Sequence, residues 1–324
     1  KKLCQNIKWY MDDLKKIEKV KNLIGNNPLI KIIYKYNREI RFLYAKLEWY
    51  NLTGSIKDRP AYYIIKNAIK SKKLKPNQLI CEVTSGNMGI SICALGKVTN
   101  HRVIVCMPKD MSEERKKLLK LYGAQLELVD NFEQAFEKAK YYQDKGAFLP
   151  HQFENKNNTL AHYQTTASEI IKKLKKVPCF VSGVGTGGTL MGVGTFLKDK
   201  CDAKIIAIDP KESKLLTCGK SFGKHQIQGI SDEIIPKLYN KSLVDRIVLV
   251  SSVDAINMSK KLAKCFGLGV GISSGANFLG CVLSNINGAT TVFPDDNKKY
   301  ISLIKTQKKE SILTKKIDLL GFEI

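Results

Sequence analysis

Short, uninterrupted apolar runs alternate along this chain with longer stretches in which apolar residues recur every three or four positions. Residues 79–83 (Leu-Ile-Cys-Glu-Val) read as a buried strand, followed by a Gly turn and a helix from about Gly89. Residues 103–107 form a second strand, stopped by Pro108, and Ser112-Glu-Glu-Arg then opens a basic helix with acids in its first turn. Leu126 to Val129 is a third strand, and 131–146 a helix ending at Gly146. Cys179-Phe-Val-Ser, a Gly-rich turn and another helix follow, then a strand over 204–209. This alternation predicts parallel βαβ units in an open α/β sheet. There is no internal repeat or low-complexity tract. The Asn- and Lys-rich stretch 154–159 is the expected crossing between two lobes, and no regulatory domain is expected from the C-terminal tail.

Composition narrows the function classes. The 324 residues carry 54 basic and 30 acidic side chains, a net charge of +24. The lysines are spread throughout, often as pairs (Lys72-Lys73, Lys116-Lys117, Lys172-Lys173, Lys260-Lys261), and not interleaved with aromatics in one patch. That distribution reads as solvated faces rather than a nucleic-acid surface, although the field can attract an anionic substrate or cofactor. A hydrophobic content of 44% excludes wholesale disorder. No apolar run is long enough for a transmembrane helix, and Lys1 to Val20 mixes charge with apolar residues, unlike a secretory signal. Nine cysteines lack a Cys-x-x-C pair, and Cys81, Cys93, Cys106, Cys179 and Cys281 sit in apolar runs as small hydrophobes. This usage fits a reducing cytoplasm. His101, His151, His162 and His225 have no zinc-like spacing, so no metal is expected.

Three loops carry candidate chemistry. Ser182-Gly-Val-Gly-Thr-Gly-Gly-Thr189 links a strand to a helix, where clustered glycines and the helix N-terminus suit a phosphate. No Lys-Ser or Lys-Thr closes the loop, so it is not a Walker A loop. Gly183, Gly185 and Gly188 spell G-x-G-x-x-G, and Asp209 ends the next strand, as in a dinucleotide-binding fingerprint. On these residues alone a nicotinamide dehydrogenase, or a turn needed only for tight packing, remains open. Thr84-Ser-Gly-Asn-Met-Gly89 offers hydroxyls, an amide and free N–H groups suited to a carboxylate. In Thr53-Gly-Ser-Ile-Lys-Asp-Arg-Pro60, Lys57 stands between a Gly turn and a helix start, a setting that can lower a lysine pKa as Schiff-base chemistry needs.

Taken with Gln152-Phe-Glu-Asn155 and Gly271-Ile-Ser-Ser-Gly275, these segments resemble the cysteine synthase and cystathionine β-synthase family, pyridoxal-phosphate enzymes of fold type II, from Ile24-Gly-Asn-Asn-Pro-Leu29 to about Pro294. The resemblance displaces the dehydrogenase reading. It implies two open, twisted parallel-sheet domains, each a three-layer αβα sandwich, with the cofactor in the cleft. The expected division is a large domain (1–50 plus 157–324) and a smaller mobile domain (51–156) that closes on substrate. By position, Lys57 would carry the cofactor as a Schiff base and move the Cα proton. Asn87 would bond the cofactor's ring oxygen, Gly185, Thr186, Gly187, Gly188 and Thr189 would cradle its phosphate, and Ser273 would face the pyridine nitrogen. Thr84, Ser85, Gly86, Met88, Gln152, Gly229 and Ser231 would surround the substrate, an amino acid. A homodimer is also implied.

Two departures from the family bear on the reaction. Met88 stands where cysteine synthases usually have Thr, which removes one hydrogen-bond donor. Ser231-Asp-Glu233 replaces a small neutral loop, roughly Gly-Ala-Gly, that admits sulfide. Two carboxylates repel an anionic nucleophile but can act as general base for water or a thiol. The expected reaction is therefore L-cysteine to L-serine plus hydrogen sulfide, via an aminoacrylate, with Asp232 activating water and Glu233 sharing that role or pointing outward. The alternatives are a cysteine synthase using O-acetylserine or a phosphorylated serine with sulfide, cystathionine or lanthionine synthesis with a thiol acceptor, and a cofactor-bearing but catalytically idle binding protein.

Overall fold

The computed structural model describes residues 2–324, with side-chain environments from residue 9 onward. Its strands are β1 (Leu29–Tyr36), β2 (Glu39–Leu47), β3 (Ile80–Val83), β4 (Val103–Pro108), β5 (Gln125–Val129), β6 (Cys179–Gly183), β7 (Lys204–Pro210), β8 (Arg246–Val250), β9 (Ala289–Phe293) and β10 (Ile317–Glu323). The helices that matter here are α1 (Lys2–Val20), α2 (Asp58–Lys70), α3 (Asn87–Val98), α4 (Glu113–Leu121), α5 (Phe132–Asp144), α6 (Lys156–Ala161), α7 (Ser168–Leu174), α8 (Gly188–Cys201), α9 (Leu215–Cys218), α10 (Ser252–Phe266) and α11 (Ile272–Ser284).

The strands form two sheets, one ordered β10-β1-β2-β9-β6-β7-β8 and one ordered β3-β4-β5. The small sheet and the β2-β9-β6-β7-β8 part of the large one are parallel. The βαβ alternation thus yields the expected parallel architecture, with helices on both faces of each sheet. Alternate residues of each strand enter different cores: Val181, Ile206 and Ile208 meet Ile256, Leu262 and Leu279 from α10 and α11. Phe180, Ile205 and Ala207 meet Leu190, Val193 and Leu197 from α8. In the small sheet Ile80 and Val105 pack with α2 and α3, while Val83 and Cys106 face Ala135 and Ala139 of α5. The five cysteines read as small hydrophobes are all buried.

Several features go beyond the sequence reading, among them β8 and β9, two parallel strands of the large sheet. The large sheet gains an antiparallel edge, β10-β1-β2. Ser112 sits at the N-cap of α4 without capping it, because its hydroxyl donates instead to Lys299 O at 2.9 Å. Much of the stretch 154–159 is helical: Asn155 accepts from Asn157 N and starts α6, which packs against α2 and α8.

A buried ion cluster fixes the start of α2. The Arg59 guanidinium donates to Glu48 at 2.7 and 2.9 Å and to Glu169 at 2.7 and 2.8 Å, and Lys46 meets Glu169 at 2.7 Å. Burial pushes the Glu169 carboxyl up, but Arg59 and Lys46 outweigh it and hold the pKa down to about 2. A depressed carboxyl stabilises the fold above its unfolded pKa of about 4.3 and loses that contribution as pH falls toward the folded value.

Removing the cation leaves Glu48 buried and unpaired. The Arg59→Met variant should lose about 3–5 kcal/mol of unfolding free energy in denaturant titrations at neutral pH, and an unchanged midpoint would show that the cluster is energetically neutral.

Candidate active site

Five segments converge on one cavity between the sheets. Lys57 enters from the start of α2, Thr84, Ser85, Asn87 and Met88 from the β3–α3 loop, Gln152 from the chain before α6, Gly185 to Thr189 from the β6–α8 loop, and Ser273 from the first turn of α11. Gly229 and Asp232 complete the lining from the segment after β7. Cavities of open α/β sheets form at such loops, outside the carboxyl ends of parallel strands. Of the residues assigned from sequence, Gly86 and Ser231 do not line it.

The backbone before Lys57 is tied down from both directions. Lys299 Nζ donates to Gly54 O at 2.8 Å, and the Asp58 carboxylate accepts from Thr53 N and Thr53 Oγ1, each at 2.7 Å. Lys57 Nζ then reaches Thr186 Oγ1 at 3.4 Å. Burial lowers the Lys57 pKa to about 8, against the opposing pull of Asp232 and Glu82. Burial also raises the Glu82 carboxyl to about 8, and its Oε2 has no partner.

The glycine loop is shaped by close approach. Gly187 adopts φ +85° just before α8, a conformation that costs glycine little. Asn158 Nδ2 donates to Thr186 Oγ1 at 2.9 Å and to Gln152 O at 2.8 Å, and a Cβ on Gly188 would lie 1.9 Å from Asn158 Oδ1. His162 Nε2 stands 3.3 Å from Thr189 Oγ1, at the start of a π-helical turn spanning 162–167. Burial, helped by the charges of Arg59 and Lys57, drives the His162 pKa well below its usual value, so the ring is neutral.

The 84–88 loop rests on Arg115. Gly86 N donates to Thr84 Oγ1 at 3.0 Å, and Arg115 Nη1 donates to Ser85 O at 2.9 Å and Gln228 Oε1 at 3.2 Å. Gly86 has φ +143°, and a Cβ there would lie 2.5 Å from Arg115 Cδ. Gln152 Nε2 donates to Val83 O at 2.6 Å. Met88 is buried. Asn87 Nδ2 donates to Asp295 Oδ2 at 2.7 Å, where Tyr300 OH also donates at 2.6 Å, while Asn87 Oδ1 is buried without a partner. Arg115 contacts Tyr300 through a hydrogen bond and by lying 4.7 Å from its ring centroid.

These residues fit a phosphorylated pyridine aldehyde. The β6–α8 loop offers backbone N–H groups and a helix N-terminus to the phosphate, Lys57 offers an amine of lowered pKa to the aldehyde, Asn87 Nδ2 has a second N–H beyond the one given to Asp295 for the ring oxygen, and Ser273 is a hydroxyl for the ring nitrogen. Arg115, Asn158, His162, Asp295 and Tyr300 were not singled out from the sequence, because each is a lone residue with no motif. Among the described residues no group of three His, Cys, Asp or Glu side chains could hold a metal ion, and no helix is long and apolar enough to cross a membrane.

Comparison with known proteins gives the same chemistry. The sequence pattern of pyridoxal-phosphate dependent enzymes matches residues 20–294. A cysteine synthase B from Campylobacter jejuni is 43% identical over 267 residues, 80% of this chain and 87% of that protein. The crystal structure of a hydrogen sulfide-producing enzyme from Fusobacterium nucleatum matches with a TM-score of 0.92 and 43% identity, covering 96% of this chain and 98% of that one. A lysine-dimethylated Asp-to-Asn variant of that enzyme, in complex with an α-aminoacrylate intermediate, matches with a TM-score of 0.91 and 43% identity, covering 95% of this chain and 99% of that one.

Only the unprotonated amine attacks an aldehyde. Recombination of the stripped apoprotein with pyridoxal phosphate, followed by absorbance, should therefore speed up about tenfold per pH unit up to about pH 8 and then level off. A rate still climbing toward pH 10 would mean that Lys57 is not desolvated.

Proposed function

The chain belongs to the pyridoxal-phosphate dependent enzymes, and from that premise we propose that it converts L-cysteine and water to L-serine and hydrogen sulfide. The observation that carries this reading is Asp232: its carboxylate lines the same cavity as Lys57, and each perturbs the other's ionisation. The hydrogen sulfide-producing relative supports it.

Bound cofactor supplies the electron sink that acidifies Cα–H and lets the β-substituent leave. The work of the protein is positioning and proton transfer. Lys57 holds the cofactor, takes the Cα proton as the Cβ–S bond breaks, and returns a proton to Cα at the end. The N–H groups and hydroxyls of the Thr84–Met88 loop, with Gln152, hold the substrate carboxylate, and Met88 contributes packing in place of a donor. The β6–α8 loop fixes the phosphate, Ser273 meets the ring nitrogen without the full charge of a carboxylate, and Asn87 meets the ring oxygen. Asp232 orients a water and takes its proton as the O–Cβ bond forms. Sulfide departs as hydrogen sulfide, so atoms and electrons balance without an external oxidant.

Burial raises the Asp232 pKa, against the lowering charges of His225, Lys57 and Arg115. A raised pKa makes the carboxylate a better base near neutrality and costs that base as pH falls, at a higher pH than for an exposed aspartate. Glu233 is exposed and so is the weaker candidate.

A second reading, β-replacement with sulfide as nucleophile, is favoured by likeness to cysteine synthases; the carboxylate in the cavity opposes it by repelling an anion. The enzyme is further proposed to work as a cytoplasmic homodimer, where its free cysteines stay reduced; analytical ultracentrifugation checks the assembly.

With L-cysteine as sole substrate, the native enzyme should release sulfide and serine in equal amounts. Asp232→Asn should still release sulfide while serine output drops by about a hundredfold. Unchanged serine output would exclude Asp232 as the base, and O-acetylserine plus sulfide turning over faster than cysteine would favour the second reading.

A further inference from the structure

Asp209 is the residue a dinucleotide-binding fingerprint would aim at a ribose, yet here it is fully buried and faces protein. Its Oδ2 accepts from Thr217 N and Thr217 Oγ1, each at 2.9 Å, and its Oδ1 from Ser231 Oγ at 3.3 Å. Ser231 directly precedes Asp232. It is also held through its backbone, since its N–H donates to Val184 O at 2.8 Å, and His225 Nε2 stands 3.1 Å from its carbonyl.

The backbone on either side of Asp232 is strained. Ser231 has φ +51° and Glu233 φ +62°, both left-handed and neither a glycine. Such conformations persist only where the surroundings over-determine them. On one side the determinant is Asp209 in the large sheet. On the other it is the small sheet: Ile234 packs against the cluster of Val83, Cys81 and Phe153, and Leu238 N donates to Phe153 O at 3.2 Å. The Asp232 segment is thus a strap stretched between the two sheets and fastened to each.

We infer that this double fastening places the Asp232 carboxylate over the reacting carbon, making Asp209 and Ile234 positioning residues for the addition of water. The inference rests on the proposed role of Asp232 as base. It couples two events that hydration needs together: docking of the small sheet, which excludes bulk water, also draws the strap into register, so one water meets its base only in the closed site. Elimination of sulfide, which depends on Lys57, does not need the strap.

The test is product partition. When the unsaturated amino acid escapes before water adds at Cβ, it tautomerises and hydrolyses to pyruvate and ammonia, so the ratio of serine to pyruvate reads the hydration step alone. With L-cysteine and the holoenzyme, Ile234→Ala and Asp209→Ala should each lower that ratio by roughly tenfold or more while sulfide release stays within about twofold. Asp209→Asn, which keeps an acceptor for Ser231, should restore most of it. The pH profile of serine formation should shift in Ile234→Ala while that of sulfide release stays put. Parallel loss of both products at a constant ratio would assign the two residues a purely structural role and overturn the inference. So would a native ratio in both variants; if Asp232→Asn still abolishes hydration, the base stands and only the strap falls. A native ratio in Asp232→Asn would remove the base and the inference together.

Discussion

The lysine at the centre of the site depends on a guanidinium two residues away. Arg59 commits its hydrogen-bonding capacity to two carboxylates from different parts of the chain, Glu48 after β2 and Glu169 in α7. Its rigid fork makes the pairing geometric as well as electrostatic, which a lysine could not reproduce. Helix α2 therefore begins at a fixed place and angle, and Lys57, its N-cap residue, inherits that placement. With Lys299 and Asp58 anchoring the turn before it, the amine is delivered into the cleft, where burial lowers its pKa.

Two kinds of anchoring divide the rest of the site. The glycine loop is locked by Asn158 and by contacts too close for any side chain at Gly188. The 84–88 loop, by contrast, is held through Arg115, which also touches Gln228 and Tyr300 on the opposite side of the cleft. A cation that bridges two bodies through a carbonyl, an amide and a phenol can register their docking without a fixed covalent tie. Asp295 adds a second bridge through Asn87 and Tyr300.

The sequence made β3, β4, β6 and β7 legible because they are buried on both faces and read as short apolar runs, and β5 through its alternating Leu126 and Leu128, but it left the parallel strands β8 and β9 unread. It hid β1 and β2 because their turn, Asn37-Arg38, takes left-handed φ values of +50° and +69° without the Asn-Gly or Asp-Gly that marks such a hairpin. β10 was hidden by its exposed alternate residues and a glycine. In the site, the glycine loop, Lys57 and the 84–88 loop could be found because they are contiguous and their backbone demands are written in residue type. Arg115 was visible only as part of a basic helix, since its burial against Ser85 and Tyr300 arises from chain segments far apart. Asp209 shows the opposite problem: a residue at the fingerprint's spacing whose partner, Ser231, only the fold reveals.

The order of strands also bears on how the polypeptide is born. β3, β4 and β5 are close neighbours in sequence and pair with one another, and β3 bridges Phe148 a little further on, so the small sheet can assemble as soon as its own segment leaves the ribosome. The large sheet cannot: β2 waits for β9, and β1 stays an open edge until β10, far along the chain, covers it. Until then the nascent chain displays a hairpin with both outer edges open, the kind of surface that chaperones bind and that aggregates when they are scarce.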